Sequence, residues 1–134
     1  MLNKDEIIKK TKIFFRDHDQ IIAVYLFGSL AKGTFNKNSD IDIAVMFKDY
    51  KDEMKVFDIR LKLMDDLSVF LDYDVDIIVF SQASLKMQHQ IISGELIVGK
   101  DNRQRIRREQ YSLNRYLDMK YYYNSYEKNM GKGL

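Results

Sequence analysis

Hydrophobic and polar positions along this chain follow two periods in turn. Between about residues 4 and 18, Ile7, Thr11, Phe14, Phe15 and His18 recur at helical spacing. Ile21 to Phe27 (IIAVYLF) is then a continuous apolar run ended by Gly28, the pattern of a strand covered on both faces. A second strand is predicted from Ile41 to Phe47, where Ile41, Ile43 and Val45 alternate with Asp42 and Ala44. Residues 51–71 carry Met54, Phe57, Leu61, Met64, Leu67 and Leu71 as the stripe of an amphipathic helix. Asp74 to Phe80 reads as a third strand, and a helix over about 82–93 follows, with Gly94 where a C-terminal cap would sit. Glu95 to Val98 is a short edge strand. After the turn Gly99–Asn102, Asp101 is a candidate N-cap for a final helix of about 25 residues, with Ile106, Leu113, Leu117 and Tyr121 along one face.

Helices alternating with strands argue for an α/β or α+β fold of about four strands flanked by helices. The chain has 134 residues and no proline, repeat or linker-like stretch, so residues 1–134 read as one domain with enough apolar sequence for its own core. Without cysteine it offers neither disulfides nor thiolate metal sites. No run approaches bilayer-spanning length and the first residues lack a signal-peptide core, which makes the cytoplasm the expected location and gives no membrane role. Charge changes the picture only at the C-terminal end. Residues 1–100 carry 14 basic and 16 acidic side chains, whereas residues 101–134 carry 8 basic and 4 acidic. Because those bases are interleaved with acids and tyrosines, they suit a solvated or protein-binding helix face better than direct nucleic-acid binding.

The chemistry gathers around the first two strand ends. Asp40 and Asp42 lie two apart, so on a strand their carboxylates share a face. Two such charges repel unless a cation joins them, and a hard divalent ion such as Mg²⁺ takes oxygen ligands and bridges carboxylates to phosphates. Asp76 on the third strand can join them if the strands are neighbours. Three converging carboxylates are what a two-metal site needs. Gly28-Ser29-Leu30-Ala31-Lys32-Gly33 supplies the phosphate side. Gly28 allows close backbone approach and Ser29 offers a hydroxyl and an amide, while Lys32 adds a cation within reach and Lys37 is a further candidate. Ser39, beside Asp40, is a further nucleotide-binding candidate. Taken singly, a Gly-Ser turn or an Asp-x-Asp strand start is more often structural than catalytic. Their joint spacing, flanking strands and Asp76 make coincidence a poor account.

At these residues the chain resembles a known family. LFGSLAKGTFNKNSDIDIAVMF, residues 26–47, is similar to the core motif of the DNA polymerase β-type nucleotidyltransferases, in their minimal branch: Gly-Ser, ten residues, Asp-x-Asp. Residues 75–101 resemble its third-strand, helix and edge-strand segment. Residues 107–130 resemble the end of MntA-type antitoxins, the nucleotidyltransferase halves of HEPN–MNT toxin–antitoxin pairs. The resemblance implies a nucleotidyltransferase fold with a small mixed sheet and a long C-terminal helix. It implies that Gly28 and Ser29 bind the triphosphate of ATP, and that Asp40, Asp42 and Asp76 hold Mg²⁺, two ions in all, with Asp76 helping to activate the acceptor hydroxyl. Lys32 stands where many relatives have arginine, which keeps the charge but loses a bidentate contact. Asp74 shares a face with Asp76 and could support it.

The implied activity is transfer of AMP from ATP to a tyrosine of a cognate HEPN ribonuclease toxin, silencing it. A binding antitoxin that works by covering its toxin, and a transferase acting on a small molecule or an RNA end, are the alternatives. Other residues suggest less chemistry. His18, near the end of the first helix, and His89, partly buried on the helix after the third strand, have no partner at metal-ligand spacing. Met54 and Met64 read as core fillers. Six tyrosines lie in the final helix. Tyr121 continues its apolar face towards the body. Tyr122, Tyr123 and Tyr126 cannot all join it, which marks the helix, about residues 102–129, as a partner-binding element.

Overall fold

The computed structural model describes residues 3–33, 39–49 and 52–132, with side chains through residue 126. Lys37 and the loop around it, residues 34–38, lie outside the described residues. Helix α1 (Lys4–Phe15) leads to β1 (Ile21–Phe27), a short α2 (Gly28–Lys32) and β2 (Ile41–Phe47). Then come α3 (Glu53–Leu71), β3 (Val75–Val79), a 3₁₀ turn (Phe80–Gln82), α4 (Leu85–Ile92), β4 (Glu95–Gly99) and α5 (Asn102–Lys132). The strands form one mixed sheet in the order β3-β2-β1-β4. β1 runs antiparallel to both its neighbours, and β2 and β3 are parallel. This is the expected small sheet flanked by helices.

Alternation across each strand divides the core in two. Val24, Leu26, Ile43, Val45 and Ile77 face α1 and α3, whereas Tyr25, Ala44, Met46, Phe80 and Ile91 lie on the side of α4 and α5. The first helix ends at Phe15, three residues before its predicted limit. Lys100 Nζ accounts for the stop by donating to the carbonyls of Phe15 (2.7 Å), Arg16 (3.3 Å) and His18 (2.8 Å), so His18 lies in the turn beyond the helix. Asp52, Ser84 and Asp101 cap α3, α4 and α5 by accepting from backbone amides of the first turn.

Two helices present other faces than their periodicity suggests. In α3 the buried side chains are Val56, Leu63, Leu67 and Leu71, each contributing about 1.5–3 kcal/mol. Met54, 71% exposed, and Phe57 and Leu61 face outward, so Met54 is not a core filler. Apolar residues cover more than half the circumference of α3, and spacing alone does not fix its rotation. In α5 the predicted core stripe is turned away from the body: Ile106, Leu113 and Leu117 are exposed and Tyr121 is 76% exposed.

The inward face of α5 is polar, and hydrogen-bonding demand explains why. Phe47 and Lys48 end β2 with carbonyls that receive Arg108 at 2.5 and 2.6 Å, and Gln104 also donates to Lys48 O at 3.0 Å. The buried Tyr25 hydroxyl donates to Glu109 at 2.8 Å, and Arg105 donates to the same carboxylate at 2.7 Å. Burial and then the Glu109 carboxylate push the Tyr25 phenol well above its ordinary pKa, so it remains a neutral donor. Ser112, almost fully buried, donates to Gln88 of α4 at 2.6 Å. Apolar residues in those places would leave the Tyr25 hydroxyl and the Phe47 carbonyl without these partners, at about 1–3 kcal/mol for each buried group left unpaired.

Candidate active site

The end of β1 and the starts of β2 and β3 meet at one edge of the sheet. Phe27 pairs with Asp42 across β1 and β2, and Asp42 pairs with Asp76 across β2 and β3. Two carboxylates therefore stand side by side on adjacent strands, on the α4 and α5 side. Gly28 lies over them at φ +75°, and a Cβ built there would overlap Asp42 Oδ2 and stand 3.0 Å from its Cγ. Glycine is required twice here, for the left-handed backbone and for the closeness of Asp42. Ser29 follows in the first turn of α2, and Gly33 (φ +78°) ends that helix.

Asp40 precedes β2 and is exposed. Its charge is still felt: burial first, then the neighbouring charges of Asp76 and Asp40, hold the Asp42 carboxyl above the usual carboxylate range. Asp76 leans towards α3, where Arg60 Nη2 lies 3.4 Å from its Oδ1 and Arg60 Nε donates to Ile77 O at 2.5 Å. Among the described residues, no three His, Asp or Glu side chains are drawn together closely enough to form a ready metal-binding group. The fold thus brings Asp42 and Asp76 into register and leaves Asp40 beside them, ahead of the strand. The donor set is nonetheless all oxygen, and burial, then the neighbouring carboxylates, disfavour the charged form of Asp42. A hard divalent cation fits that unmet charge.

The remaining candidates border two cavities. Gly28, Ala31 and Lys32 line one of about 400 Å³ with His89, Gln90 and Ser93. The His89 ring stacks on Tyr116 of α5, with centroids 4.2 Å apart. Gly94 is not a left-handed cap. It is glycine because a Cβ there would overlap the Leu26 carbonyl oxygen, so the α4–β4 turn abuts the end of β1. On the other side, Ser39, Asp40 and Asp74 line a cavity of about 660 Å³. Tyr73 Oη donates to Ser39 O at 2.9 Å and steadies the approach to Asp40. Asp74 is exposed and its carbonyl accepts from Ile41 N at 3.0 Å, so the backbone of Asp74 ties the strand starts together.

Arg60, Tyr73 and the packing role of Gly94 escape a reading of motifs. Only Arg60 leaves a trace in sequence, as a cation among the inward positions Val56, Leu63 and Leu67 of an amphipathic helix.

The family model described as "Polymerase beta, Nucleotidyltransferase" matches residues 9–103. The "Protein adenylyltransferase MntA" of Shewanella oneidensis is 38% identical over 93 residues, 69% of this chain. The match spans 61% of that relative's length. Among solved structures, the fold is similar to a "toxin-antitoxin with AMP-PNP" at TM-score 0.72 and 26% identity, over 92% of this chain and 97% of that one. It is also similar to a mutant of the "toxin-antitoxin MntA-HpeT" at TM-score 0.68 and 27% identity, over 97% and 98% of the two chains. No helix among the described residues is long and apolar enough to cross a membrane.

Proposed function

The chain belongs to the polymerase β nucleotidyltransferase family, and from that premise we propose that it is a Mg²⁺-dependent protein adenylyltransferase that moves AMP from ATP to a tyrosine hydroxyl of a cognate HEPN ribonuclease toxin, neutralising it. One observation carries this reading: Gly28 lies directly over Asp42 where Asp42 and Asp76 are register partners. The missing side chain lets the backbone of the Gly28-Ser29 turn lie against paired carboxylates, so a phosphate held by that backbone would sit beside them. The relative named a protein adenylyltransferase supports the reaction, and the similar toxin–antitoxin structure with an ATP analogue supports the nucleotide and the kind of partner. Residues 1–134 act as one domain, with about residues 102–129, within α5, as the partner-binding element.

Gly28 and Ser29 take the triphosphate through backbone amides and the Ser29 hydroxyl, with Ser39 at its flank. Lys32 adds one positive charge from the neighbouring cavity wall. Asp40, Asp42 and Asp76 would hold Mg²⁺, two ions when full, which supply the charge that offsets carboxylates and phosphate oxygens alike. The acceptor tyrosine oxygen forms a bond to the α-phosphorus, the bond from that phosphorus to the bridging oxygen breaks, and pyrophosphate leaves. The tyrosine proton passes to Asp76. Arg60 is a positioning residue that holds Asp76 at the strand mouth until substrate arrives. Most of the acceleration comes from alignment and charge, since the groups involved are held by three adjacent strands. AMP on the toxin adds bulk and negative charge where RNA phosphates must bind.

ATP labelled in its α-phosphate, incubated with this protein, Mg²⁺ and the toxin encoded beside it, should label the toxin and abolish its ribonuclease activity. An unlabelled toxin that stays active would sink the proposal. The outward apolar face of α5 favours a second reading, neutralisation by covering the toxin. Asp40→Asn with Asp42→Asn separates the two: protection is lost if transfer is the mechanism and survives if covering is enough.

A further inference from the structure

At the end of β2 away from the candidate active site lies a cavity of about 520 Å³ that the transfer reaction does not use. From Asp42 to Phe47 is five residues of strand, about 16 Å at ~3.3 Å per residue. Phe47, Val56 and Phe80, each almost fully buried, give the cavity an apolar floor. Its wall is a row on α5, Arg107, Tyr111 and Arg115, at successive i, i+4 positions on one side of the helix. The Arg115 guanidinium lies over the Tyr111 ring, 5.5 Å from its centroid. Arg108 also borders the cavity but is committed to the carbonyls of Phe47 and Lys48. Neither Arg107 nor Arg115 takes part in an ion pair among the described residues, and the lining holds a single carboxylate, Asp49.

We propose that this cavity is a second nucleotide site, in which a base lies between the apolar floor and Tyr111 while Arg107 and Arg115 hold the phosphate. Three observations favour a nucleotide over a bare anion or a purely apolar guest. The floor is apolar and partly aromatic, the wall alternates guanidinium and ring, and the volume suits a small ligand. Because Arg108 ties α5 to the end of β2, the cavity is formed before anything enters it, and little ordering opposes binding. The nucleotide could be free or the phosphorylated end of an RNA strand, and the chemistry required of the site is the same.

Calorimetric titration of the full chain in EDTA tests this, with AMP, a 5′-phosphorylated single-stranded RNA and inorganic phosphate as separate probes. AMP should bind the wild type, and Arg107→Ala with Arg115→Ala should weaken it at least tenfold without altering the melting curve. If the RNA binds more tightly than AMP and is lost in the same variant, the strand end is the source; if AMP binds alone, it is the free nucleotide. Binding of AMP undiminished in the variant, phosphate binding as tightly as AMP, or no binding of either nucleotide probe would each overturn the inference. It stands apart from the proposed transfer. A wild type that fails to label a toxin yet binds AMP here removes that reading only.

Discussion

The two ends of β2 solve the same electrostatic problem in opposite ways. At its last residues, backbone carbonyls meet Arg108 and Gln104, and every partner comes from the chain itself. At its first residues, Asp42 meets Asp76 across the ladder and Asp40 before it, and Arg60 lies near the Asp76 carboxylate. One end is satisfied within the chain and serves stability; the other gathers like charge. Holding like charges together on a half-buried strand end is unfavourable, and such clusters mark candidate functional sites.

The sharpest way to break this contrast is Asp42→Asn. Toxin labelling should fall by roughly three orders of magnitude, the scale seen when a group aimed at developing charge is removed. The same variant in EDTA should melt at a higher temperature than wild type, because a charge the metal-free fold disfavours is gone. A lower melting temperature would show that Asp42 is structural. Gly28→Ala comes next. The new methyl group meets Asp42 and the backbone is left-handed, so labelling should drop about a hundredfold, with a loss of about 1–3 kcal/mol in denaturant melts. At the other end, Arg108→Ala should cost about 1.5–3 kcal/mol in the same melts, since two carbonyls lose a charged donor. Arg60→Ala should cost about 1 kcal/mol or less and slow labelling only a few-fold, as expected for a half-exposed ion pair that positions rather than reacts.

The smallest expected effect is in pH. Asp42 has a folded pKa above its unfolded value of about 3.9. Its contribution to stability is therefore fully present below that unfolded value and is lost as pH rises through the folded one. Metal-free wild type should accordingly lose stability relative to Asp42→Asn on going from acid towards neutral pH, and Mg²⁺ should remove the difference by binding the folded state alone. Parallel melting curves for the two proteins across that range would remove the electrostatic account.

Much of this contrast was legible in sequence at one end and little at the other. The limits of β1 and β2 follow from apolar runs bounded by Gly28 and by Ser39-Asp40, and the pairing of Asp42 with Asp76 follows once the strands are parallel neighbours. The completed end was misread because its logic is three-dimensional. Ile106, Leu113, Leu117 and Tyr121 form a good helical stripe, yet the carbonyls of Phe47 and Lys48 and the hydroxyl of Tyr25 select the polar face of α5 instead. In α3, Met54, Phe57 and Leu61 were as plausible a core as Val56 and Leu63, and only the sheet surface decides between them. Arg60 and Tyr73 act on residues 16 and 34 positions distant in sequence, beyond any local motif.

The order of strands also bears on solubility. β1 is an uninterrupted apolar segment with a neighbour on each side, and the second of these, β4, arrives about seventy residues later in the chain. Without β4 the outer amides and carbonyls of IIAVYLF would be bare, with no proline or charge along them and only the irregularity at Val24/Tyr25 to discourage pairing with another molecule. A fragment ending before Glu95 would thus expose a template for self-association, and during synthesis the same edge stays open until β4 has left the ribosome. The short strand Glu95–Gly99 gives the core Ile97 and also covers the edge that such a fragment would leave open.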